Sequence, residues 1–243
     1  MATSYLLTYQ PLALTGAGRA AAAVQELGLA PFLDGSCRRE PSFSARWPLV
    51  TSLCRPGFSE RLEKDDQLVY LTCRGDYHRY QAADPRIPVE PHWRLVAILR
   101  VLQTFPSHKK AAEYLRAQGV EIPNNLIVPG SVPVPLNQTH ARISRAGASG
   151  KHCATGARAP KRRGCAPKDI QQWDAVYQER AATNRRVALC EPMFCELSMP
   201  PVVTREDRAH IEGGKLLSTL SPHSLTSDQF ARYFALANAP ARR

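Results

Sequence analysis

Cys54 is followed directly by Arg55, and a guanidinium beside a thiol can lower its pKa toward the nucleophilic range. A nucleophile also needs a base, and His78, His92 and His140 offer imidazoles at no diagnostic spacing. The competing reading of a cysteine in an apolar run is a small buried hydrophobe. Trp47, Tyr77, Tyr80 and Trp93 flank two short polar stretches, one holding Ser52, Cys54 and Arg55 and the other Thr72 and Cys73. An exposed aromatic face gives roughly 1–3 kcal/mol of stacking to a nucleobase, while core packing is the ordinary use of such rings. Asn137, Gln138, Thr139 and His140 carry amides and a hydroxyl suited either to a Watson–Crick edge or to capping a turn. Lys64-Asp65-Asp66 reads as a solvated turn, because adjacent carboxylates in a tight turn diverge and make a poor Mg²⁺ pair.

The seven cysteines form no C-x-x-C pair, and their odd number points to reduced thiols in a cytoplasm. His152, Cys153 and Cys165 come nearest to a zinc set but lack a second closely spaced pair, so neither a metal nor a cofactor is expected. Thirty-two Lys and Arg against 21 acids give a net charge of +11, the electrostatic footprint of a nucleic-acid partner. Eight of those cations and no acid fall between Ala141 and Lys168 among Gly, Ala, Ser and Pro, which reads as a disordered basic insertion at 141–168. Arg142, Arg145, Lys161, Arg162 and Arg163 are its phosphate-binding candidates. No run reaches the roughly 18 apolar residues of a membrane helix, and MATSYLLTYQ has no basic region ahead of its apolar residues, so neither a membrane partner nor a secretion signal is expected.

The elements that would position these residues are mainly strands. Ser4 to Gln10, Leu49 to Cys54, Gln67 to Cys73, Arg94 to Val101, Arg186 to Glu191 and Met193 to Leu197 have strand composition and are bounded by turn residues. Pro31 to Pro48 is loop-like, and Ile122 to Asn137, rich in Pro and Asn, is irregular or edge-strand. Helices are predicted over Gly16 to Leu29, from a Ser107 cap to Gln118 with Gly119 beyond it, and after caps at Asp169, Thr204 and Thr226. The order is that of an α+β fold, one domain over 1–243 with a curved sheet or small β-barrel and peripheral helices.

The block PLVTSLCRPGFSERLEKDDQLVYLTCRG followed by WRLVAILRV resembles the PUA-like superfamily that includes the EVE, ASCH and YTH domains. Its usual K-G-D turn is here Lys64-Asp65-Asp66, without the glycine. LCRPGF, WRLVAILRV and PPVVTRED make the chain, from Ser4 to Ile211, more similar still to bacterial and phage nucleotide-modification-associated domain families. That resemblance implies a pocket at the mouth of the barrel that takes in a flipped base. Its candidate lining is Trp47, Ser52, Cys54, Arg55, Thr72, Cys73, Tyr77, Trp93, Asn137, Thr139 and His140. The function expected is recognition of a modified base in nucleic acid, DNA ahead of RNA, or of a modified nucleotide, in DNA modification or anti-phage systems. The alternative is an ASCH-like hydrolase of a modified nucleoside or base, for which Lys64 and Thr72 are the available groups. A third reading is a structural RNA-binding subunit.

Overall fold

A computed structural model describes residues 2–14, 29–77, 88–134, 170–214, 216–217 and 221–239, with backbone alone for 170–173. The predicted helix at Gly16 to Leu29 and the insertion at 141–168 lie outside the described residues, Leu29 excepted. Among the described residues seven strands form one sheet: β1 (Ser4–Tyr9), β2 (Leu49–Val50), β3 (Gln67–Thr72), β4 (Trp93–Phe105), β5 (Val187–Cys195), β6 (Val202–Val203) and β7 (His223–Leu225). The order is β2-β5-β4-β3-β1-β7, an open path, with β6 paired to the start of β4. Four helices accompany it among the described residues: α1 (His108–Ala117), α2 (Ile170–Thr183), α3 (Arg205–Ile211) and α4 (Ser227–Asn238).

β1 and β3 run parallel, Ser4 opposite Gln67 through Tyr9 opposite Thr72, and every other pairing is antiparallel. Both faces of this pair are covered, which is why LLTY and LVYLT are nearly continuous apolar runs rather than alternating ones. Leu7, Tyr9, Leu68 and Tyr70 face a core completed by Phe32, Phe43, Phe58 and Leu62 from the loops. Leu6, Val69 and Leu71 face the opposite core with Trp93, Ile211, Leu225 and Tyr233. A third cluster packs α1 through Ala111, Ala112 and Leu115 onto Leu49, Val187 and Leu189.

The helix starts follow their local chemistry. Ser107 accepts from the Lys110 N–H, and Thr204 with Asp207 and Thr226 with Gln229 form reciprocal capping boxes. Gly119 closes α1 at φ +65°. Three strand expectations need correction. Leu49 to Cys54 contributes only two residues to the sheet, because beyond Val50 the chain turns inward to bury Thr51 and Ser52 in side-chain hydrogen bonds. The two strands expected between Arg186 and Leu197 are one, with Pro192 at a register shift of the ladder, where the missing N–H is tolerated. Arg94 to Val101 runs on to Phe105, since β5 pairs with the extension. The described part of the Pro- and Asn-rich segment, 122–134, is irregular and contains no strand.

Candidate functional site

The carboxyl ends of β1 and β3 meet the loop of residues 31–48. Gly35 donates to the Gln10 carbonyl at 2.8 Å, Asp34 bridges Pro11, and Tyr9 donates from its hydroxyl to the Phe32 carbonyl. This is the only parallel pair among the described strands. The loop carries Asp34, Arg38, Arg39 and Glu40, all buried, with Arg39 at φ +46°. A side chain with a Cβ rarely takes that conformation, and such backbone clusters at functional positions.

Two carboxyl groups form the centre. Glu40 Oε1 accepts from the Thr51 N–H at 2.7 Å and Oε2 from Asn125 Nδ2 at 2.7 Å. Asp34 Oδ1 accepts from Ser36 N at 2.8 Å and Glu40 N at 3.2 Å. Burial outweighs those bonds and pushes the Glu40 carboxyl up to about 8 and that of Asp34 up to about 6. Burial likewise holds the hydroxyls of Tyr9, Tyr70 and Tyr177 neutral, and the Asp34 charge acts on all three in the same direction. It also acts on Cys54, Cys37 and Arg55, so six groups from five segments lie within reach of that charge. Phe43 packs edge-on to Tyr9 at 5.0 Å and to Tyr70 at 5.1 Å, within the core on this face of the sheet.

Some sequence candidates converge here. Arg55 donates to the Thr8 carbonyl, opposite Leu71, and Cys73 N donates to the Tyr9 carbonyl at 2.7 Å, so both polar stretches reach the carboxyl ends of β1 and β3. Ser52 is consumed structurally: its hydroxyl lies 2.7 Å from Ser59 Oγ and accepts from Ser59 N at 3.0 Å. Thr72 Oγ accepts from Arg94 N at 2.9 Å, and Tyr77, fully buried, donates to the Cys73 carbonyl at 2.6 Å. Burial raises the Cys54 thiol, which sits 3.8 Å from the Tyr177 hydroxyl, so Arg55 does not activate it as a nucleophile.

Other candidates go elsewhere. Trp47 packs on Tyr114 of α1 at 6.4 Å, in the third cluster. Trp93 lies in the core on the opposite face of the sheet, 4.6 Å from the buried Arg208 guanidinium, itself paired with Glu212. Trp47, Tyr77 and Trp93 therefore do not share one wall. Lys64 is exposed, and Asp66 spends its carboxylate on Thr3 N and Glu63 N, so that turn is structural; Asp65, at φ +72°, takes the place a glycine would fill. Tyr80, Asn137, Gln138, Thr139 and His140 fall outside the described residues, as do Arg142, Arg145, Lys161, Arg162 and Arg163.

No family model matches the chain, and neither a curated protein nor a solved structure is found similar to it. The site is therefore read on its own chemistry. Asp34, Arg39, Glu40, Asn125, Tyr9 and Tyr70 are residues that the motif reading missed. A signal was present: an 18-residue loop with no regular structure, rich in charge and bounded by Pro31 and Pro48, is longer than connections usually are unless they serve a function. No helix among the described residues is long and apolar enough to cross a membrane.

Proposed function

We propose that this chain binds nucleic acid, DNA ahead of RNA, or a nucleotide, and recognises a modified base without covalent chemistry. The observation that carries the reading is a buried polar cluster at the carboxyl ends of β1 and β3, where Glu40 holds Asn125 and, with Arg55 and Asp34, acts on Tyr70 beside the Tyr9 and Phe43 rings. Hydrogen-bonding groups beside a ring face are what a base requires, edge and plane. The chain as a whole carries +11, which suits the phosphates attached to such a base. The resemblance of the sequence to PUA-like and nucleotide-modification-associated domains adds to this proposal a bacterial, cytoplasmic role in DNA modification or phage defence.

The test is a titration, by fluorescence anisotropy, of oligonucleotides carrying methylated, hydroxymethylated or glycosylated bases against plain ones, in DNA and RNA. Tighter binding of one modified series supports the reading. Equal affinity for modified and plain strands at every salt concentration would refute it.

One observation favours a second reading, hydrolysis of a modified nucleoside or base: a carboxyl titrating near neutrality, such as Glu40, is suited to carrying a proton. Lys64 and Thr72 are not its partners, since they flank opposite ends of β3, a strand about 17 Å long. Release of a base or acyl fragment, followed by chromatography, distinguishes the two readings.

A further inference from the structure

Three rings from three elements meet at the surface beside α1, away from the buried carboxyl groups of the 31–48 loop. Trp47 lies 6.4 Å from Tyr114 at a tilt of 42°, and Phe105 lies 5.2 Å from Tyr114 at a tilt of 45°. All three are partly exposed, whereas Tyr9, Phe43, Tyr70, Tyr77 and Trp93 are buried. The tilts keep neighbouring rings from covering each other face to face. Their placement is set by the fold: Cys190 N donates to the Pro48 carbonyl at 2.9 Å beside Trp47, Phe105 ends β4 opposite Val187, and Ala111, Ala112 and Leu115 anchor the helix that carries Tyr114. Arg46 holds its guanidinium 4.9 Å from the Trp47 centroid and pairs with no carboxylate among the described residues. The Trp47 N–H and the Tyr114 hydroxyl make no hydrogen bond among those residues either. Residues 44–48 and α1 together carry Arg46, Lys109, Lys110 and Arg116 against one acid, Glu113, which Lys110 already engages at 2.8 Å.

Resting on the reading that the chain binds nucleic acid, we infer that Trp47, Tyr114 and Phe105 form a platform on which the unpaired bases of a single strand stack, with Arg46 beside it for the strand's phosphates. Every base has a π face, so such a platform reads no sequence, and it favours unpaired bases over those of a duplex, which are already stacked on one another. A guanidinium plane also stacks on a base, so Arg46 can serve ring or phosphate. Rings already fixed by strand, loop and helix lose little freedom when the strand arrives. The charge of the surroundings selects the occupant. A polyanion gains from the surplus of cations, whereas a second copy of this chain would bring its own +11 against it. The ligand class is therefore single-stranded nucleic acid, held by stacking and by phosphate contacts together.

The whole protein is titrated by fluorescence anisotropy at fixed salt with short single strands, with abasic strands of the same length, and with a plain duplex. Base-bearing single strands are expected to bind roughly tenfold or more tighter than abasic ones, and to quench tryptophan emission in the parent but not in Trp47→Phe. Trp47→Leu and Tyr114→Leu keep an apolar side chain on the third cluster and are checked for folding by circular dichroism. Each should weaken single-strand binding about tenfold while leaving duplex affinity in place, and Trp47→Phe, which keeps a ring, should bind nearly as the parent does. The abasic comparison uses the unaltered protein, so it decides the matter even where a variant fails to fold. Abasic strands binding as tightly as base-bearing ones overturns the inference, as do folded leucine variants that bind single strands like the parent or lose duplex affinity equally. A parent dimer in sedimentation that both leucine variants abolish would give the surface to a second copy and overturn it too. If the leucine variants bind like the parent and a modified base is still preferred, the proposed function stands without this platform. If no strand binds at all, that function falls as well.

Discussion

Between pH 4.5 and about 8 the folded chain holds a proton on Glu40 that the unfolded chain has released. Folding then takes up a proton, so stability falls as the pH rises through that window, by up to about 1.4 kcal/mol per unit. Denaturation curves at half-unit steps should show this decline. Glu40→Gln cannot ionise and should flatten the decline between about pH 6 and 8, leaving below that the part that the raised Asp34 carboxyl contributes, while being less stable than the parent at pH 5 because its amide nitrogen meets Asn125 Nδ2. An unchanged slope would place the titrating group elsewhere. Ser52 makes a different prediction, since its hydroxyl is already committed to Ser59. Ser52→Ala should cost about 1–3 kcal/mol of stability and leave the preference among oligonucleotides where it was.

Helix α2 is fastened to the site loop by the buried pair of Arg38 and Asp174, with Arg38 also donating to the Asn124 carbonyl at 2.9 Å. Asp174→Asn removes one charge and strands the other, which should destabilise by about 3–5 kcal/mol, whereas the double change Arg38→Met with Asp174→Leu should recover most of the loss. Chemical denaturation of the three variants checks both. Deleting residues 141–168 and rejoining the ends with Gly and Ser should leave the melting transition in place, because that composition has little apolar surface to bury. A collapsed transition would assign the segment a structural part. At this scale the helix starts were legible in the sequence, since a cap is settled within four residues, as at Ser107, Thr204 and Thr226. The end of β2 at Val50 was not, because Thr51 turns inward to meet Glu40, eleven residues earlier. The site was less legible still: Glu40 and Asn125 are 85 residues apart, and neither belongs to a strand or helix. Only the fold brings them together. The stretch holding Cys73 was legible because it abuts a strand whose composition announces it.

Over the whole molecule, a net charge of +11 sets the form of any binding to nucleic acid. Affinity for a plain duplex should fall with salt, log against log, with a slope near −0.9 for each phosphate neutralised, and the 141–168 deletion should flatten that slope. Equal slopes before and after would remove the segment from the interface. The sheet order has a consequence of another kind. β1 pairs with β3 along one side and with β7 along the other, Ser4 facing both Gln67 and Leu225. β1 therefore gains its β7 neighbour only after the whole stretch between them has been made. At about 5–20 residues per second, the stretch from Ser4 to Leu225 takes on the order of ten seconds or more to synthesise. Throughout that interval an apolar strand offers unsatisfied backbone groups to any other nascent chain. Chains cut short before His223 would carry that open edge permanently, and a cell making this protein has reason to keep a chaperone near that strand.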